Sequence, residues 1–181
     1  MEITAEHILK FWFDETEPRL WFAKEDEFDQ LIRSRFFEIH HKAENCELFR
    51  WRATPQGRLA EIIILDQFSR NMFRNTPEAF KNDKLALSLA QAAVASGDDQ
   101  KLPVQERAFL YMPYMHSESE VIHTEAVHLF SQPGLENNLE FELEHKGLID
   151  RFGRYPYRNE ILGRDSTREE LEFLKMPGSS F

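Results

Sequence analysis

The sequence predicts an all-α fold of about eight helices, and three observations predict it. Apolar residues recur at three- and four-residue spacing along most of the chain, the period of one helix face. Helix-start signals recur as well: Thr54-Pro55, Thr76-Pro77, and two overlapping capping boxes, Ser166 with Glu169 and Thr167 with Glu170. No stretch of alternating apolar and β-branched residues competes with them.

Thr4 caps a first helix through Ile8, Leu9 and Phe11 to Phe13. Trp12, Phe13, Trp21 and Phe22 bracket a turn containing Pro18 and read as an aromatic plug between helices. The second helix carries Phe28, Leu31, Ile32, Arg35, Phe36 and Ile39 and ends near Asn45. Thr54-Pro55 opens the central helix, and Thr76-Pro77 opens a short turn with Phe80 buried. A small-residue helix from Leu85 to Val94 stops at Gly97. Pro103 begins another through Phe109 and Leu110, which Pro113 breaks or kinks by removing a ladder donor. Met115, Glu118, Ile122, Ala126 and Leu129 form the next stripe, ending before Pro133-Gly134. Phe141, His145, Leu148, Ile149 and Phe152 form the one after, stopped at Gly153. The last helix carries Leu171, Phe173 and Leu174, and residues 176–181 are expected to fray.

The chain is organised around Arg58 to Arg74. Leu59 to Leu65 is apolar at every position except Glu61, so this helix has no solvent face and belongs in the core. Its second half nevertheless carries Asp66, Arg70, Asn71 and Arg74. Asp66 and Arg70 stand four apart, acid first, the orientation in which an ion pair closes along a helix. A charged pair issuing from a buried helix needs partners or a ligand.

Length and composition fit one domain spanning residues 1–181, with a core of its own. A net charge of −10 argues against nucleic acid or an anionic membrane as partner, and no apolar run approaches a membrane span. One cysteine, Cys46, excludes an internal disulfide and suits the reducing cytoplasm. Arg outnumbers Lys fourteen to eight, and Arg151, Arg154 and Arg158 cluster in a segment without an acid.

Further polar residues stand out. Glu118 and His145 interrupt apolar stripes, and His116 lies just ahead of Glu118. The segment Arg151 to Asn159 stops a helix at glycine, turns through proline, and sets guanidiniums beside aromatic rings, a fork suited to carboxylate or phosphate. Each has a structural alternative: a tie between helices for Asp66–Arg70, a tie of Glu118 to Arg70, Arg107 or Arg154, a satisfied core histidine for His145, and donation to helix C-terminal carbonyls for the arginine loop. Glu-x-x-His pairs at Glu38/His41, Glu120/His123, Glu125/His128 and Glu142/His145 have the spacing of di-iron bundles. His123 and His128 cannot share a face, and only His145 sits on an apolar stripe, so no metal site is expected. Nucleotide-loop and nucleophile-elbow motifs are missing, and no cofactor is expected.

With these residues in view, the chain resembles a bacterial family catalogued as domain of unknown function 924. The matching pieces are residues 8–13, 65–74 with Thr76-Pro77, 111–118, His145, 152–159, and 162–164 with Ser166-Thr167. The resemblance implies a tetratricopeptide-like α-α superhelix and no established activity. The family pattern has proline where Ser69 stands and histidine where Tyr157 stands, and His123 lies outside it.

Together these readings lead to an expectation of a pocket where the central helix, the His116–Glu118 turn and the Arg154–Asn159 loop converge. It would hold a small anionic molecule through Arg70, Arg74, Arg154 and Arg158, oriented by Asn71 and Asn159. Asp66 or Glu118, with His116 or His145, would supply acid–base chemistry. The competing expectation is a scaffold binding a protein or peptide along an open helical groove.

Overall fold

The computed structural model describes residues 2–179. Among them the regular structure is helical, without strands: α1 (Ala5–Leu9), α2 (Asp26–Glu44), α3 (Pro55–Ile63), α4 (Ser69–Met72), α5 (Asp83–Ala95), α6 (Val104–Met115), α7 (Glu120–Phe130), α8 (Glu136–Phe152) and α9 (Arg168–Leu174). The all-α expectation holds. A π-helical segment, Ile64–Phe68, joins α3 to α4 without a break, so these form one central rod. A second π segment, Lys10–Glu15, extends α1.

The caps are built in part as the sequence implies. The Ser166–Glu169 box does not form, the Ser166 hydroxyl accepting from Asn159 instead, and the Thr76 hydroxyl donates to the Phe73 carbonyl and caps nothing. Thr4 and Thr167 each close a capping box, with His7 and Glu170 as the reciprocal partners. Thr54 accepts from the Gly57 amide ahead of Pro55. Gly153 ends α8 in the left-handed conformation at φ 69°, which a side chain would strain. Pro113 sits inside α6, which runs two residues beyond it and ends at Met115. Glu118 departs from its expected place: it lies in the connection between α6 and α7 instead of on a helical stripe. Phe80 is only half-buried, while Ala79 beside it is buried.

The rod is the core. Leu59 to Leu65, Phe68 and Met72 are all buried. Glu61, the polar exception, is fully buried and accepts from Arg52 Nε at 2.7 Å and Nη2 at 2.6 Å. Helices α1, α2, α5 and α6 all pack against the rod. Helices α5, α6, α7 and α8 then pack each on the next, as stacked helical pairs do, which is consistent with a tetratricopeptide-like superhelix. The aromatic plug is real: Trp12 contacts Trp21, Phe28, Phe68 and Phe109, and Trp21 Nε1 donates to the Trp12 carbonyl at 2.8 Å.

Of the expected tail, residues 180–181 lie outside the described residues. Just before them the Ser179 hydroxyl donates to the Leu174 carbonyl at 3.2 Å.

Two glycines on helices give a paired stability test. A Cβ on Gly57 would stand 1.9 Å from the Trp51 carbonyl oxygen, a backbone atom, whereas one on Gly147 meets nothing within 4 Å. Gly57→Ala is expected to destabilise by about 1–3 kcal/mol through overpacking. Gly147→Ala is expected to stabilise by up to about 1 kcal/mol through helix propensity. Urea denaturation of the two variants checks both signs.

Candidate functional site

The π segment places a carboxylate where no water reaches it. Asp66 is fully buried, and an isolated charge there would cost several kcal/mol. Its two oxygens are engaged on three sides. Oδ1 accepts from His116 Nδ1 at 2.7 Å and from Arg70 Nη1 at 2.9 Å. Oδ2 accepts from Gln67 Nε2 at 2.7 Å. Burial opposes ionisation, but Arg70, His116 and Gln67 outweigh it and hold the carboxyl well below the usual range. The Asp66–Arg70 pair anticipated from spacing is therefore made, between the π segment and α4.

Arg70 does not stop at Asp66. It also donates to both oxygens of Asp83, at 3.0 and 3.1 Å, across to α5. Arg158 meets Asp83 from the other side at 3.3 Å and donates to the His116 carbonyl at 3.0 Å. Its guanidinium carbon lies 4.5 Å from the Phe80 ring centroid and 4.6 Å from that of Tyr155, a cation between two aromatic rings. Arg74 is held by Asp29 through Nε and Nη2, and Asn71 Nδ2 donates to the same carboxylate at 2.7 Å.

Beside this lattice lies a cavity of about 660 Å³. Arg70, Asn71, Arg74, His116 and His145, all singled out by sequence, line it. Gln67, Asn137 and Asn138 add amides, Trp21, Phe80, Met112 and Met115 add apolar surface, and the exposed rings of Phe22 and Phe141 also contribute. The cavity thus draws on the loop before α2, the central rod, α6 and α8.

Asp66 itself lies behind this lining, and four further expected residues are elsewhere. Glu118 accepts from Arg164 at 2.7 and 2.9 Å and from the Tyr155 amide, so its partner is Arg164 and not Arg70, Arg107 or Arg154. Arg154 forms a forked pair with Glu170, whose carboxyl it holds down to about 2. Asn159 is fully buried between Arg164 and Ser166. Arg158 is buried behind the cavity wall. The arginine loop is therefore a brace: Arg151 pairs with Glu169, Arg154 pairs with Glu170, and Arg158 shares Asp83 with Arg70, so the loop is not the expected anion clamp. From that loop it is Tyr157 that lines the cavity.

His145 Nδ1 lies 2.7 Å from the Phe141 carbonyl, so that nitrogen carries the proton. Burial lowers its pKa to about 3. His116 is also pushed down, first by burial and then by Arg70, against the opposing pull of Asp66. His123, set aside in the sequence, is fully buried: Nδ1 stands 2.6 Å from Glu142 Oε1, and Nε2 donates to the Ser117 carbonyl at 2.7 Å. Burial pushes the Glu142 carboxyl up. No group of three or more candidate metal ligands occurs among the described residues.

Residues 8–178 match the model of the family described as bacterial protein of unknown function DUF924. The chain belongs to that family. A solved structure, that of the protein of unknown function ATU0120 from Agrobacterium tumefaciens, is 36% identical over 94% of this chain and 96% of its own, with a TM-score of 0.90. No curated protein matches the sequence. Among the described residues of this DUF924 protein no helix is long and apolar enough to cross a membrane.

The low pKa of His145 has a measurable consequence. Below its ordinary value of 6.5 the unfolded chain takes up a proton that the folded chain refuses until about 3. Stability therefore falls as pH drops, by about 2 kcal/mol between pH 7 and 5 from this one group. His40 and His116 are lowered too and act in the same direction. Urea midpoints at pH 7 and 5 are expected to separate less in His145→Gln than in the wild type. Identical separations would refute the assignment.

Proposed function

We infer that this protein binds a small organic molecule in the cavity and acts on it by proton abstraction, with His116 as the general base. The observation that carries this reading is the 2.7 Å contact between His116 Nδ1 and the buried Asp66 carboxylate. An ionised carboxylate only accepts, so Nδ1 bears the hydrogen and the other ring nitrogen, Nε2, keeps its lone pair. No described residue bonds to Nε2, and His116 lines the cavity. Burial and Arg70 favour the neutral imidazole, the form a base must have.

Roles follow from position. Asp66 is a positioning residue: it selects the tautomer and stabilises the imidazolium formed when His116 takes a proton. Arg70, fixed by Asp66 and Asp83, faces the same cavity and favours negative charge left on the substrate. The scaffold reading calls for polar side chains strung along an open groove. Here Arg70, Asn71, Arg74, His116 and His145 line one cavity, which favours a small ligand.

Diethyl pyrocarbonate tests the presentation of His116 without a known substrate, because it acylates an accessible, unprotonated imidazole nitrogen. With mass-spectrometric mapping at pH 7, His116 in the folded protein is expected to react at least about tenfold faster than buried His123, whose ring nitrogens are both engaged. Asp66→Asn is expected to lose about 3 kcal/mol of stability, because Arg70 keeps only Asp83 as its charge partner and His116 loses the carboxylate that fixes its Nδ1 hydrogen. A His116 as inert as His123 would sink the general-base role.

A further inference from the structure

We propose that the ligand of this cavity is an uncharged polyhydroxylated molecule, a sugar or polyol, whose hydroxyls donate to an acceptor patch at the end of the central rod. This rests on the cavity's being the binding site, as inferred above, and adds the substrate class.

The patch arises because the donors of three cavity side chains are committed to carboxylates. Gln67 Nε2 donates to Asp66 Oδ2 at 2.7 Å, so the amide oxygen is the polar atom Gln67 has left. Asn71 Nδ2 donates to Asp29 Oδ1 at 2.7 Å and likewise keeps Oδ1. His116 Nδ1 donates to Asp66 and keeps Nε2. The amide orientations are set by chemistry: an ionised carboxylate accepts and cannot donate, so each nitrogen must face it. No described residue donates to any of the three remaining acceptors, and none of them is sealed from solvent. Gln67 and Asn71 lie one helical turn apart, and Gln67 and His116 share one carboxylate, so the three acceptors are neighbours.

Charge decides among the ligands that could meet such a patch. A carboxylate has no hydrogen to give and would set oxygen against three acceptors, and a phosphate has at most one or two hydrogens and would set its remaining oxygens against them. An ammonium would donate, but it would enter beside Arg70, Arg74 and Lys24. Those two arginines are balanced by carboxylates, and the balance leaves nothing negative for a cation to neutralise. A hydroxyl both donates and accepts. It satisfies the patch and can still accept from Asn137, Asn138 or Lys24, which also line the cavity. The C–H face of a sugar or polyol suits the aromatic wall of Trp21, Phe22 and Phe141. Proton abstraction then has its substrate group: a hydroxyl whose proton passes to His116 Nε2.

The test titrates the full-length protein, at constant ionic strength, with glucose, mannose, ribose and myo-inositol, and separately with phosphate, succinate and methylammonium. The readout is the His116 Hε1 resonance, assigned by its loss in His116→Gln. At least one uncharged compound is expected to move that signal saturably. Asn71→Ala, whose partner Asp29 keeps Arg74, is expected to weaken that binding about tenfold, the loss of one hydrogen bond to the ligand. If only phosphate, succinate or methylammonium moves the signal, the substrate class is wrong while the site stands. If no compound of any class moves it, the site reading falls and the proposal with it. Saturable sugar binding that leaves His116 unmoved would place the sugar elsewhere and overturn the proposal as well.

Discussion

One fully buried carboxylate organises this molecule. Asp66 sits in the π segment of the central rod, and burying its charge without compensation would cost several kcal/mol, a large part of the net stability of a domain this size. Its partners are therefore obligatory. Arg70 supplies the opposite charge, His116 and Gln67 fill the remaining lone-pair directions, and Asp83 fixes Arg70 in turn. Each partner is also a wall of the cavity or holds one. The demand that stabilises Asp66 thus dictates which atoms the cavity offers, because a side chain whose donor faces inward presents its acceptor outward.

The π segment is what allows this. Widening the helix over Ile64–Phe68 shifts the register between the apolar first half and the polar second half. Ser69, where the family resemblance leads one to expect proline, closes the segment with two bonds of its own. Its hydroxyl donates to the Leu65 carbonyl at 2.6 Å and accepts from His40 Nε2 at 2.8 Å. His40 thereby ties α2 to the rod at the point where the geometry changes.

The all-helical class and the buried rod were legible from apolar spacing alone, and the Asp66–Arg70 pair from the four-residue step. The π segment of the rod was not, because Leu59 to Leu65, Glu61 apart, is apolar on every side and offers no stripe in which a shift of phase could be read. The arginine loop misled for a specific reason. Arg151, Arg154 and Arg158 lack a local acid, but their carboxylates arrive from afar: Glu169 and Glu170 from the start of α9, and Asp83 from α5. Glu170 was legible only as a capping residue, and it serves both purposes. Asp29 and Asp83 read as ordinary charges in the first turns of amphipathic helices, so their hold on Arg74 and Arg70 could not be seen. His123 and Glu142 were each visible in a Glu-x-x-His pair, yet the contact joins one pair to the other, across α7 and α8. Gln67 and the two asparagines that open α8 gave no signal, since an amide at a helix surface is unremarkable until a cavity forms beside it.

The central claim is that burial and Arg70 keep His116 neutral while Asp66 fixes its hydrogen on Nδ1. Long-range ¹⁵N–¹H correlation of the histidine rings at pH 7 measures both properties in the unliganded protein. The account requires one ring, absent in His116→Gln, that is neutral and carries its hydrogen on Nδ1, the less common tautomer of a free imidazole. A doubly protonated ring, or a neutral one with its hydrogen on Nε2, would contradict it.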